Sequence, residues 1–362
     1  MTELELYEII SSVKGLDADA VKRAVERQAS LAKPPKSLGK LEEISIRLAG
    51  ITGKLYNTVV HRRIIIMSSD NGVVEEGVAS APQSVTRAQT INFTRYKTGV
   101  SSMAKYHGVD ICAVDVGVNA DLPKDIGIVD RKIAYGTKNI AKGPAMTREQ
   151  ALRAIEIGIE MAKKAADDEC EVIGIGEMGI GNTTTSASVL CALTGISPLE
   201  TVGRGGCITD AMLANKIRVV ERALAVNEPE ASDVIGTLAK VGGFDIAAMT
   251  GAFIGAAVYR LPVVIDGYIS AVAALCAYRL CPAVKDFLFP SHCSLEAGYS
   301  LAMNEIGIEP YLNLDMRLGE GSGCPLTFSI METACAVMIY MATFEEAEIN
   351  DDYLDEIRRE ME

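Results

Sequence analysis

Hydrophobic and polar positions change period along the chain. Over residues 5–30, apolar residues recur at helical spacing among many charges, which predicts one or two amphipathic helices. Lys33-Pro34-Pro35-Lys36-Ser37-Leu38-Gly39 breaks that pattern, because Pro and Gly are poor helix-interior residues. From there to about residue 320, short β-branched runs alternate with helical stretches. The runs are Arg63-Ile64-Ile65-Ile66-Met67, Val109-Asp110-Ile111-Cys112-Ala113-Val114, Glu171-Val172-Ile173-Gly174-Ile175 and Pro262-Val263-Val264-Ile265-Asp266. Helical stretches such as 148–167 and 182–193 stand between them. Strands alternating with helices predict a parallel sheet covered on both faces. Residues 325–362 return to helical spacing and end in an acidic tail from 345 onward. The expected organisation is a large α/β domain over 33–324 and a small helical domain built from 1–32 and 325–362.

That architecture says where to look for chemistry. In parallel α/β sheets, ligands bind at the carboxyl ends of the strands. At those ends the sequence places polar or Gly-rich segments, read here as loops: Ser68-Ser69-Asp70-Asn71-Gly72, Asp115-Val116-Gly117, Gly176-Glu177-Met178-Gly179 and Asp266-Gly267-Tyr268.

Composition narrows the class. Hydrophobic residues make up 49% and charged residues 23%, an ordinary globular balance that excludes a disordered chain. The net charge of −13 argues against a broad nucleic-acid or anionic-membrane surface, since phosphate backbones need a basic footprint. It leaves room for a small anionic ligand held locally. The nine Cys form no CxxC pair, and most sit singly in apolar runs, as small buried hydrophobes of a reducing cytosol do. His61, His107 and His292 lie far apart and have no metal-ligand spacing. The N-terminus lacks the basic and apolar regions of a signal peptide. The apolar run at 245–265 contains only 14 consecutive uncharged residues, short of the roughly 20 that span a bilayer. It reads as a buried helix running into a strand, and the protein as cytoplasmic.

Three segments could carry chemistry. Gly174-Ile175-Gly176-Glu177-Met178-Gly179-Ile180-Gly181-Asn182-Thr183-Thr184 runs from a strand into a helix, whose N-terminus would suit an anion. A tight turn with Asn182 as N-cap is the structural alternative, although Glu177 is an odd choice for such a turn. The spacing is neither the dinucleotide fingerprint nor a P-loop. Gly203-Arg204-Gly205-Gly206-Cys207 is a second flexible loop, and Lys216 on the following helix is either a phosphate counter-charge or a solvated side chain. The sharpest signal is Arg317-Leu318-Gly319-Glu320-Gly321-Ser322-Gly323, one carboxylate among glycines. A general base near neutral pH needs partial desolvation, which a closely approaching substrate could provide. Ser291-His292-Cys293-Ser294 is discounted as a hydrolase site: there is no nucleophile elbow, and adjacent Ser and His are not expected to face one another.

Taken together, these segments resemble the nicotinate-nucleotide:dimethylbenzimidazole phosphoribosyltransferases. The resemblance runs from about residue 33 to 338. It includes the Lys33–Gly39 motif, Asp70-Asn71-Gly72-Val73, Gly143-Pro144-Ala145-Met146, Gly242-Gly243-Phe244-Asp245, Val264-Ile265-Asp266-Gly267 and Pro290-Ser291-His292, besides the two glycine-rich segments around Glu177 and Glu320. It implies a doubly wound, Rossmann-like domain with a small helical domain. It also implies a homodimer, no cofactor and no metal. The activity implied is transfer of 5-phosphoribosyl from nicotinate mononucleotide to an aromatic base. By the same resemblance, Glu320 is the general base and Glu177 a second acidic residue near the ribose. Gly179, Asn182, Thr183, Gly205 and Lys216 would cradle the phosphoribose, with Asp266 and Ser294 near the mononucleotide. Ala81, Gln89, Met178 and Leu318 would line the pocket for the accepting base. Two positions depart from the family: Asn71 stands where His is usual, and Ala81 where Ser often contacts the acceptor. Relatives that modify phenols as heterodimers of two homologous chains make that branch the alternative.

Overall fold

In the computed structural model, which describes residues 1–361, the β-branched runs pair into one sheet. Three helices come first: α1 (Glu3–Ser11), α2 (Ala18–Ser30) and α3 (Lys40–Thr52). Then follow β1 (Arg62–Ser69), α4 (Ser84–Phe93), α5 (Gly99–His107), β2 (Asp110–Gly117), β3 (Val129–Asp130), α6 (Arg148–Asp167) and β4 (Val172–Met178). After β4 come α7 (Asn182–Thr194), α8 (Pro198–Thr201), α9 (Asp210–Asn227), α10 (Val234–Val241) and α11 (Phe244–Val258). The chain continues through β5 (Val263–Ile265), α12 (Tyr268–Leu280), β6 (Leu288–Pro290), α13 (Gly298–Ile306), α14 (Cys324–Tyr340) and α15 (Asp355–Met361).

The sheet has the order β3-β2-β1-β4-β5-β6, and every ladder is parallel. This is the doubly wound order, in which the direction of winding reverses between β1 and β4. The loops leaving those two strands diverge to opposite faces, so a crevice opens at their carboxyl ends.

The strands outrun the β-branched runs that announce them. Ser68 pairs with Asp115 on one side and Met178 on the other, and Met67 pairs with Glu177. The segments read as loops at Ser68-Ser69, Asp115–Gly117 and Gly176–Met178 are therefore strand ends, held by ladder hydrogen bonds that do not depend on side-chain type. Two strands, β3 and β6, had no β-branched run to mark them.

The apolar run at 245–265 becomes α11 and then β5, as its pattern predicts. No helix among the described residues is long and apolar enough to cross a membrane. Nearly every residue of α11 is buried, and it crosses α6 at close range. Glycines permit that crossing: a Cβ on Gly158 would lie 1.9 Å from the Ala248 carbonyl oxygen, and one on Gly251 would lie 1.9 Å from that of Ile155.

Two units are distinguishable. One comprises Met1–Val13 with His61–Thr327, the other Lys14–Val60 with the residues from Phe328 onward. This differs from the sequence-based boundaries at both ends of the N-terminal segment. Helix α1 belongs to the larger unit because Leu6 is buried there, the Met1 amino group pairs with Glu156 at 2.9 Å, and Arg148 binds Glu3. Residues 33–60 belong to the smaller unit because α3 packs on α2. There Gln28 donates to the Ser45 hydroxyl at 2.9 Å, and Lys33 forms a buried ion pair with Glu42 at 2.8 Å.

Candidate active site

The last residues of β4 aim at the crevice. Strand alternation turns the Glu177 side chain toward it, while Gly176 faces the loop that carries Glu320. A Cβ on Gly176 would meet the Glu320 carbonyl oxygen at 2.4 Å. The absence of a side chain there lets the 318–323 loop lie against the strand. In that loop Gly319, Glu320 and Gly321 all have left-handed backbone, at φ 81°, 64° and 91°. Glycine takes this conformation freely, whereas a glutamate there is strained.

Glu320 is only 5% exposed. Its carboxylate accepts the Val100 N–H at 3.1 Å and lies 3.4 Å from the Gln89 amide. Burial pushes its pKa up, opposed by the Val100 and Gly99 N–H groups and the Thr98 hydroxyl. These three residues form the N-terminus of α5, where Thr98 and Ser101 make a capping box. The protein itself, and not only an arriving substrate, supplies the desolvation that a carboxylate base requires.

Glu177 belongs to a buried acidic pair. Burial, and then repulsion by Asp245, push its pKa up to about 8. Asp245, fully buried at the start of α11, is also raised by burial. The Asn182 side-chain amide donates to both carboxylates, and the Glu320 N–H reaches Glu177 at 3.4 Å. Two close buried carboxyls cannot both ionise readily, so the pair holds a proton at neutral pH. Asn182 is the first residue of α7 and the cap position is Gly181, at φ 94°. Its side chain therefore bridges the acids instead of capping the helix.

The same cavity also has a cationic part. The buried Lys216 ammonium donates to the Thr183 hydroxyl at 2.8 Å and to the Gly203 carbonyl at 3.1 Å. Burial lowers its pKa to about 8, against the pull of Glu296. Gly205 passes close above: a Cβ there would lie 3.0 Å from the Thr183 hydroxyl oxygen. An ammonium, a hydroxyl and the N-terminus of α7 converge, which is the composition of an anion site.

Asp266 sits at the end of β5 with both carboxylate oxygens engaged. One accepts the Gly321 N–H at 2.9 Å, and the other accepts the Gly323 N–H at 2.7 Å. Its backbone carbonyl receives the Ser291 hydroxyl at 2.9 Å. Ser291 and the buried His292 ring do approach each other, at 3.1 Å, contrary to expectation for adjacent residues. Neither borders the cavity, so no hydrolase site results.

One cavity takes in Glu320, Glu177, Gly179, Asn182, Thr183, Gly205, Lys216, Asp266 and Ser294, together with Ala81, Gln89, Met178 and Leu318. Asn71 does not border it. That residue lies behind the wall beside Asp245, so its departure from His bears on the acidic pair and not directly on the acceptor. Sequence reading missed Asp245, Glu296 and the Thr98-Gly99-Val100 cap. The Thr98–Ser101 capping box is local to α5, and nothing in it says which distant carboxylate the helix would meet. Of the cysteines, Cys191, Cys276, Cys281, Cys324 and Cys335 are buried as expected, Cys112, Cys170 and Cys293 are half-buried, and Cys207 is exposed beside Arg317.

A cavity at the switch point of a doubly wound sheet, lined by both carboxyls and an anion cradle, suits a phosphate-bearing substrate and proton transfer. The phosphoribosyltransferase family model matches residues 13–349, and the chain belongs to that family. A nicotinate-nucleotide–dimethylbenzimidazole phosphoribosyltransferase of Clostridium perfringens is 54% identical over 98% of both chains. Its namesake in Clostridium tetani is 48% identical over the same 98% shares. The crystal structure of the enzyme so named from Thermus thermophilus superposes with a TM-score of 0.87. It is 36% identical and covers 92% of this chain and 99% of that one.

Proposed function

We propose that this enzyme transfers the 5-phosphoribosyl group of nicotinate mononucleotide to 5,6-dimethylbenzimidazole or a similar azole, as its relatives' names suggest. Glu320 is the general base. The observation that carries the reading is the placement of a desolvated, helix-capped carboxylate in the same cavity as the Lys216–Thr183 anion cradle. The cradle holds the 5-phosphate, which fixes the ribose in the cavity. The azole nitrogen attacks C1′ as the C1′–N bond to the pyridinium breaks. That bond's electron pair neutralises the pyridinium nitrogen, so nicotinate leaves as its carboxylate anion, and the azole N–H proton passes to Glu320. Glu177, protonated at neutral pH, is placed to donate a hydrogen bond to the ribose. The protein needs no cofactor in this scheme, and it works as a dimer.

The test is nicotinate release with and without acceptor. Release that needs the azole, and falls by about 10²–10⁴-fold in Glu320→Gln, is expected. Full activity in that variant sinks the role of Glu320. Release without acceptor makes the enzyme a hydrolase, and no turnover at all makes the chain a non-catalytic nucleotide binder. A second reading rests on Ala81, which borders the cavity in place of a hydrogen-bonding Ser. In that reading the acceptor is a phenol such as p-cresol and the partner a homologous chain. Product mass from a panel of 5,6-dimethylbenzimidazole, adenine, phenol and p-cresol separates the two.

A further inference from the structure

We infer that Asp266 is a positioning residue for the transfer: its carboxylate clamps the loop that carries Glu320 and thereby sets where that base points. The inference rests on Glu320 being the base. It gives Asp266, which the resemblance puts near the mononucleotide, a task on the protein itself.

The loop has little of its own to hold it. Three successive left-handed residues make a short arch, closed internally by the Ser322 N–H to the Gly319 carbonyl at 3.0 Å. Asp266 grips the arch just beyond Glu320, at the Gly321 and Gly323 N–H groups. On the near side, Glu177 takes the Glu320 N–H, and Gly176 lets the loop lie flat on β4. Asp266 is itself held on several sides. Its N–H donates to the Ser270 hydroxyl at 3.2 Å, its carbonyl takes the Ser291 hydroxyl, and the His292 ring lies 3.9 Å from its carboxylate. It is 2% exposed, so although it borders the cavity, its acceptor oxygens are turned into the loop.

The same carboxylate acts on Glu320 through space. After burial, the charge of Asp266 is among the causes that raise the Glu320 pKa. The other groups facing Glu320 are the Val100 and Gly99 N–H groups, the Thr98 hydroxyl, Gln89 and Glu177. Those facing Asp266 are His292, Glu177, Tyr299 and Cys324. Asp266 thus holds the base in place and keeps it basic.

Two substitutions separate those effects. Asp266→Asn keeps the shape but removes the charge and turns an amide N–H toward a backbone N–H. Asp266→Glu keeps the charge but moves the carboxylate by one methylene. Both are expected to lower kcat on the order of 10²-fold, the cost of a small misplacement of a reacting group. KM for nicotinate mononucleotide should stay within about 3-fold, since uniform substrate binding is untouched. The acid limb of the kcat/KM profile should move to lower pH in Asp266→Asn and stay in place in Asp266→Glu, a difference that general loosening of the fold does not produce.

A rise in KM at unchanged kcat overturns the proposal in favour of a substrate contact, and an acid limb unmoved in Asp266→Asn overturns the electrostatic part. If Asp266→Asn does not accumulate, the kcat and KM of Asp266→Glu decide the positioning claim. Glu320→Gln is assayed alongside. If it stays active, the base assignment falls and takes this inference with it. If it is inactive while the Asp266 variants keep full kcat, only the inference falls.

Discussion

At the scale of single residues, the site separates two acids by environment. Glu320 is buried yet receives N–H donors from a helix N-terminus, which favour its ionised form. Glu177 is buried beside Asp245 and held largely protonated, with its pKa near 8. One carboxyl is thus available to take a proton and the other to donate a hydrogen bond. In the proposed scheme the Lys216 ammonium and the Glu177 proton together set the alkaline limit. Lys216, lowered to about 8, loses its charge as pH rises past that value, and with it the pull on a phosphate. The kcat/KM profile is therefore expected to fall above about pH 8 in the wild type. Lys216→Arg should make that fall shallower, the loss of the Glu177 proton remaining. A fall of unchanged steepness would remove the Lys216 charge from the alkaline limb.

At the scale of elements, two glycines do different jobs and are expected to fail differently. Gly176→Ala would drive a methyl into the Glu320 backbone, so the chief effect should be on kcat, with a smaller change in unfolding midpoint. Gly158→Ala would force α6 away from α11, the central packing of the larger unit. A loss of about 1–3 kcal/mol or more in urea unfolding is expected there, with kcat per folded molecule kept. The strands show how far pattern reading reaches at this scale. β1, β2, β4 and β5 were legible because β-branched runs mark them. β3 has two residues and β6 three, too few for any period to appear. The strand ends carrying Ser69, Gly117 and Met178 read as loops because their residues are not β-formers, yet ladder pairing extends over them.

At the scale of the whole molecule, the buried acids couple function to stability. Glu177 has a folded pKa raised from about 4.5 to about 8, so the folded state binds its proton more tightly than the unfolded chain does. Its contribution to stability is fully present below about pH 4.5 and is lost as pH rises through about 8. Lys216 works in the next window. Its folded pKa is depressed from 10.5 to about 8, so its penalty is complete below 8 and relieved as pH rises toward 10.5. The thermal midpoint should therefore decline from pH 5 to 8, and Glu177→Gln should flatten that decline in part, Asp245 remaining. A wild-type midpoint that does not change between pH 5 and 8 would contradict the protonated state of Glu177.

The sequence by itself determined the alternation of strands and helices, the net charge of −13, and which glycine-rich segments come to line the cavity. Local residue type suffices for these, because glycine runs, β-branched runs and isolated carboxylates are local signals. Only the tertiary structure decided the strand order, and hence that the loops after β1 and β4 open a crevice. It alone placed the Thr98–Val100 cap beside Glu320, Asp245 beside Glu177, and Asp266 against the loop that carries Glu320. Each of those pairings joins residues tens to hundreds of positions apart. Each depends on the register of a parallel sheet, which side-chain pattern along one strand does not specify.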